Sequence, residues 1–154
     1  MDYYTAVICE NMHVITPVKE LDNPTKFCNE CGKLNHNTCI NCEGQIRGLS
    51  AQPPIADYYD IPLYCGDCGK PYIWTDIMLK STKQLIAEMD KLSENEKLEM
   101  QKSIEDILQD TPRTPLAIIK FKKLIKKTST AFANSIRNIL INGIKDEISE
   151  QLFN

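Results

Sequence analysis

Seven cysteines and both histidines lie within the first 74 residues of this 154-residue chain. Six of the cysteines form Cys-x-x-Cys pairs: Cys28/Cys31, Cys39/Cys42 and Cys65/Cys68. Two cysteines at this spacing can turn both sulfurs toward one ion while the backbone between them curls into a knuckle. A glycine just after the second cysteine tolerates the tight conformation. Cys31-Gly32 and Cys68-Gly69 provide it, and the third pair departs as Cys42-Glu43-Gly44. Structural zinc takes four ligands in a tetrahedron, mostly thiolates with an occasional imidazole. Cys28, Cys31, Cys39 and Cys42 are such a set by themselves. Four cysteines can also hold an iron–sulfur cluster, but paired knuckles followed by glycine favour zinc.

Cys65 and Cys68 then need two partners, and Cys9, His13 and His36 remain. Cys9-x3-His13 lies between two β-prone runs, as a ligating turn should, whereas Asn35-His36-Asn37 reads as a plain polar turn. The spacing therefore predicts two Zn2+ per chain in a nested arrangement. Cys28, Cys31, Cys39 and Cys42 hold one ion, and Cys9, His13, Cys65 and Cys68 hold the other. A cross-braced arrangement, in which alternate pairs share an ion as in RING-like domains, stays open. Both sites would be closed, and catalytic zinc keeps a ligand position free. No His–Cys or Ser–His arrangement, phosphate-binding glycine loop or suggestive carboxylate pair remains once these ligands are assigned. The expectation is a non-enzymatic protein with no catalytic residues and no small-molecule substrate.

The elements that position these ligands are short. Residues 1–74 hold five of the six glycines and six of the eight prolines, with β-prone runs at Tyr3–Ile8, Val14–Thr16 and Tyr72–Trp74. This predicts small hairpins stapled by metal rather than a conventional core. At Thr75-Asp76 the texture becomes helical, with Ile77, Leu79, Leu85, Ile86, Met89 and Leu92 at roughly helical spacing. Ser93-Glu94-Asn95-Glu96 has the form of a capping box. A second helix to about Gln109 should bury Leu98, Ile104, Ile107 and Leu108. Pro112 and Pro115 break the pattern, and Leu116 to Asn142 contains neither proline nor glycine. A long amphipathic helix, or two helices broken near Thr128-Ser129-Thr130, should fill it. The expected fold class is α+β: a zinc-ribbon domain over 1–74, a helical pair over 75–110 and a basic helical region over 111–154.

Charge follows this division. Residues 1–74 carry 5 Lys/Arg against 9 Asp/Glu, residues 75–110 again 5 against 9, and residues 111–154 carry 8 against 3. An anionic partner would meet the last third. There Lys120, Lys122, Lys123, Lys126 and Lys127 rim an apolar stripe that continues through Phe132, Ile136, Ile139 and Leu140. The stripe suits a core, a partner protein or a second copy. The lysines suit nucleic-acid phosphates or an anionic membrane surface. No run of about 18 apolar residues exists, and Met1-Asp2-Tyr3-Tyr4 has no basic stretch before an apolar one. A reducing cytoplasm is the expected location, where a disulfide framework is disfavoured.

Several segments together are specific. Ala6 to Ile15 with Cys9 and His13, Phe27-Cys28 to Cys42 with Gln45-Ile46-Arg47-Gly48, Tyr64 to Thr75, and Thr111-Pro112-Arg113-Thr114 with Phe121-Lys122-Lys123 resemble an uncharacterised bacterial zinc-ribbon family, a domain of unknown function. The resemblance covers nearly the whole chain. It implies the eight-ligand set and a bacterial, cytoplasmic origin, and it implies no activity. Family members carry Gly-His where this chain has Met12-His13, a departure that leaves the ligand in place. Taken together, the residues point to a zinc-stabilised protein-interaction or assembly module, with nucleic-acid binding and membrane action through the C-terminal helix as alternatives.

Overall fold

Short apolar runs broken by turns give five strands: β1 (Tyr3–Thr5), β2 (Val7–Cys9), β3 (Val14–Thr16), β4 (Asn35–His36) and β5 (Arg47–Ser50). The computed structural model describes residues 2–154. It divides into two compact units, the first ending at Ile77 and the second running Met78–Asn154. In the first unit β1 pairs antiparallel with β5, and a second antiparallel sheet has the order β3-β2-β4. The central strand β2 is buried at all three positions, with Ala6 and Ile46 packed into the same small core. A single turn of 3-10 helix, Lys19–Leu21, brings Glu20 to β1. Its carboxylate accepts the Thr5 N–H at 2.9 Å and the Thr5 hydroxyl at 2.6 Å. These bonds hold the Glu20 carboxyl below its ordinary value.

Tyr72–Trp74 is not a strand. Helix α1 (Ile73–Ala87) starts at Ile73, two residues before the Thr75 expected from sequence, because the Tyr72 carbonyl accepts the N–H groups of Thr75 and Asp76. Trp74 Nε1 donates to the Pro62 carbonyl at 2.9 Å, and the buried Thr75 hydroxyl donates to the Leu63 carbonyl at 2.7 Å. The rings of Tyr72 and Trp74 stack with centroids 4.6 Å apart. The chain leaving the last cysteine pair is thus locked to the chain entering it.

The second unit is helical: α2 (Glu94–Gln109), α3 (Thr114–Ile125), α4 (Thr130–Leu140) and α5 (Asp146–Phe153), with most of α1. Ser93 and Glu96 form the expected capping box. The break at 110–113 is a turn between packed helices, not a boundary between a 75–110 domain and a 111–154 domain. Buried Thr114 staples that turn, donating to the Asp106 carbonyl at 2.7 Å and accepting the Thr111 N–H at 2.9 Å. Leu98, expected in the core, is 64% exposed. Ile104, Ile107 and Leu108 of α2 are buried, as are Ala117, Ile118 and Phe121 of α3. Phe121 also meets Phe153 of α5 edge to face.

Of the two arrangements expected for Leu116 to Asn142, the structure has the pair of helices broken near Thr128-Ser129-Thr130, α3 and α4, not one long helix, and α5 follows beyond that stretch. Thr128 turns its hydroxyl back to the Ile125 carbonyl at 2.7 Å, and Ser129 Oγ caps α4 by accepting the Phe132 N–H. The chain stops again past Leu140, whose carbonyl takes the N–H groups of both Gly143 and Ile144. Among the described residues no helix is long and apolar enough to cross a membrane.

Candidate metal centres

Three knuckles repeat one backbone design. Gly32 N–H donates to the Cys28 carbonyl, Glu43 N–H to Cys39 and Gly69 N–H to Cys65, while Cys28, Cys39 and Cys65 donate to the carbonyls of Lys33, Gly44 and Lys70. The residue after each second cysteine is left-handed, with φ of 73° at Gly32 and Gly69 and 62° at Glu43. Glycine takes this conformation without strain and glutamate does not. The Cys9–His13 turn is one residue tighter: Met12 N–H donates to the Cys9 carbonyl, Cys9 N–H to the His13 carbonyl, and Met12 carries a φ of 71°. A glycine suits that position better than methionine.

The structure brings all eight expected residues into two clusters, but not in nested order. Cys9, His13, Cys28 and Cys31 form one, and Cys39, Cys42, Cys65 and Cys68 form the other. The nested sets, Cys28/Cys31 with Cys39/Cys42 and Cys9/His13 with Cys65/Cys68, do not form, and neither do cross-braced ones. The reason lies in β4. Its pairing with β2 places Cys9 opposite Asn35, beside the arm leaving Cys31. Bridges at Phe27–Leu34 and Thr38–Gln45 flank β4. The four steps from Leu34 to Thr38 span about 13 Å at strand rise, which sets the Cys28–Cys31 and Cys39–Cys42 knuckles apart in different clusters. His36 stays outside both clusters and turns Nε2 to Glu10 at 3.2 Å.

The donor atoms fit a tetrahedral ion. A metal about 2.3 Å from sulfur and about 2.1 Å from nitrogen sets sulfurs about 3.8 Å apart and a nitrogen about 3.6 Å from each sulfur. The Sγ separations are 3.7 Å for Cys9–Cys31, 3.8 Å for Cys39–Cys68 and 3.6 Å for Cys42–Cys65. His13 Nδ1 lies 3.4 Å from Cys9 Sγ and 3.6 Å from Cys28 Sγ. A disulfide needs about 2.05 Å, and all seven cysteines are free. Either cluster could therefore hold a metal ion.

Protonation makes a cation necessary for all donors to act together. The Lys33 backbone N–H, aided by His13, Asn11 and Cys9, pulls the Cys31 thiol down to about 6 against partial loss of hydration. Burial pushes Cys9 up to about 11 against the backbone N–H groups of His13 and Asn11. In the other cluster burial opposes Cys65, yet the N–H groups of Cys68 and Asp67 and the sulfurs of Cys42 and Cys39 bring it to about 6. The Gly44 N–H favours the Cys42 thiolate, but loss of hydration and the sulfurs of Cys65, Cys68 and Cys39 outweigh it and push Cys42 up to about 12. One thiolate forms readily in each cluster, and a neighbour keeps its proton until positive charge arrives.

Two supporting residues are absent from the sequence reading. Glu30, inside the Cys28–Cys31 knuckle, places Oε2 3.7 Å from His13 Nε2, on the ring edge away from the sulfurs. At 3.7 Å this is a charge contact longer than a hydrogen bond, on the ring edge from which a carboxylate supports ligation through Nδ1. Asp67 packs so closely on Gly44 that a Cβ at Gly44 would lie 2.1 Å from Asp67 Oδ2. Neither contact has a sequence signal, since both depend on which knuckles face each other.

A family model described as an uncharacterized protein conserved in bacteria, DUF2321, matches residues 2–152. The chain belongs to this bacterial family. No curated protein and no solved structure matches it.

The C-terminal residues singled out in this DUF2321 chain are not one surface. Ile136 and Leu140 have no exposed surface and belong to the helical core, so they are not a docking seam. Phe132 and Ile139 are half-buried. Of the five lysines, Lys120 faces Glu99 at 3.8 Å and Lys127 pairs with Glu96, whose carboxyl is held below its ordinary value by that partner. Lys122, Lys123 and Lys126 have no ion-pair partner among the described residues.

Proposed function

We propose that the chain is a non-enzymatic protein-interaction module of the bacterial cytoplasm, whose N-terminal unit is held together by two Zn2+. The observation that carries this reading is the completeness of both clusters. Each supplies four protein donors at tetrahedral spacing, so a bound ion would have no position left for water or substrate, as a structural zinc requires.

The metal would also fix an exposed apolar surface. Phe27 precedes the first ligand of its knuckle and pairs with Leu34 across it, and the two are 51% and 36% exposed. Ile40, between Cys39 and Cys42, is exposed as well. Their presentation depends on the folded knuckles, which makes binding of a protein partner, or of a second copy, dependent on zinc. The N-terminal residues are net acidic, which argues for a protein rather than a nucleic acid at this surface.

The test is light scattering and affinity capture with the zinc-loaded full chain. A defined oligomer or a single captured protein, lost on chelation and in Phe27→Ser/Leu34→Ser with zinc content intact, is the expected result. A chain that stays monomeric and whose capture ignores both changes contradicts the reading.

A further inference from the structure

In the helical unit, α3, α4, α5 and the α3–α4 turn border a cavity of about 350 Å³. Lys122 and Lys126, four residues apart at the end of α3, line it together with Arg137 of α4. No aspartate or glutamate side chain lines it, and none of these three cations has an ion-pair partner among the described residues.

Lys80, Lys91, Lys102 and Lys123 of this unit also have no ion-pair partner among the described residues, so what marks Lys122, Lys126 and Arg137 is that they line one cavity. Lys83 pairs with Glu105, Lys97 with Glu94, Arg113 with Asp106, Lys120 with Glu99, Lys127 with Glu96 and Lys145 with Asp110. Lys122 and Lys126 repel each other at helical i,i+4 spacing, and Arg137 adds to that field. A multiply charged anion in the cavity would relieve it. The remaining wall is mixed: Thr128, Ser129, Thr130, Asn134 and Asn154 line it beside Ala133, the buried Ile125 and Leu152 and the half-buried Phe153.

We propose that this cavity binds an organic phosphate, a phosphomonoester whose dianionic head meets Lys122, Lys126 and Arg137 and whose apolar or aromatic body lies against Ile125, Leu152 and Phe153. Three cations suit a dianion better than a carboxylate, and the guanidinium fork matches phosphate oxygens. Small-ligand pockets start at about 300 Å³, so the volume admits a compact molecule. The site is independent of the metal clusters and of any partner at Phe27 and Leu34.

The test is calorimetric titration of the zinc-loaded full chain with phenyl phosphate, inorganic phosphate and benzoate. Phenyl phosphate should saturate a single site at least about tenfold more tightly than either of the others. Arg137→Ala and Lys126→Ala should each weaken it about tenfold, the effect of losing one charge-assisted bond. Lys123→Ala, on an exposed residue of the same helix outside the cavity, should leave affinity unchanged, with helical circular dichroism the same in all variants. Absence of saturable phenyl phosphate binding overturns the proposal. So does an equal loss in Lys123→Ala, or a single-stranded oligonucleotide that binds more tightly and draws on Lys123, because then the surface is a general polyanion surface.

Discussion

Cys9 Sγ lies 3.7 Å from Cys31 Sγ across 22 residues of chain. That contact separates a sequential order of ligand pairs from a nested one, because it closes the first tetrahedron before the chain reaches Cys39. Each cluster thus belongs to a continuous stretch of sequence, residues 9–31 and 39–68, joined through β4.

Metal binding should release protons. At neutral pH a thiol held at about 11, as Cys9 is, or at about 12, as Cys42 is, keeps its proton until metal displaces it. Calorimetry of apo protein with Zn2+ in buffers of different ionisation enthalpy should show at least one proton released per cluster. Apparent affinity should rise with pH between 6 and 9, the direction set by thiols that lose protons on binding. A pH-independent affinity would contradict the thiolate assignment.

The left-handed residue in the third knuckle is a glutamate. Glu43 is exposed at a φ of 62°, so Glu43→Gly should raise stability by about 1 kcal/mol by relieving backbone strain. Gly48 gives the opposite case, since a Cβ there would lie 2.1 Å from the Pro17 carbonyl oxygen and 2.8 Å from that of Tyr4. Gly48→Ala should cost about 2 kcal/mol or more. Denaturant midpoints of the zinc-loaded protein measure both.

In the helical unit Thr114→Val keeps the shape and removes two hydrogen bonds, to the Asp106 carbonyl and from the Thr111 N–H. The loss should be about 2 kcal/mol, and Thr114→Ser should recover most of it. Ile136→Ala should cost about 3 kcal/mol through the cavity it leaves, because Ile136 is core. Helical melting followed by circular dichroism checks both. A neutral Ile136→Ala would return that residue to the surface.

The ligands were legible from residue type and spacing, and the capping box at Ser93 and the break at Ser129 from local capping chemistry. The pairing was not, because the seven residues between Cys31 and Cys39 read equally well as a turn or as an extended arm. Only the match of Asn35 and His36 to β2 makes them extended. Leu98 fits the apolar period of α2 yet is exposed at the rim of a groove it shares with Leu116 and Lys120 of α3, since periodicity marks a stripe without saying how much of it a neighbour covers. For Ile136 and Leu140 the apolar stripe alone left core, partner protein and second copy open, and the structure buries both in the core. Folded at two breaks, the region covers its own stripe.

Metal stoichiometry in paired variants tests the sequential order most directly. Cys9→Ser/Cys31→Ser should lose one of two Zn2+ per chain, and Cys31→Ser/Cys39→Ser should lose both, because it strikes one ligand in each cluster. The nested order makes the opposite assignment: Cys31 and Cys39 share an ion, so that pair would lose one, whereas Cys9→Ser/Cys31→Ser would lose both. Elemental analysis of the purified variants that finds one zinc remaining in Cys31→Ser/Cys39→Ser and none in Cys9→Ser/Cys31→Ser would contradict the account.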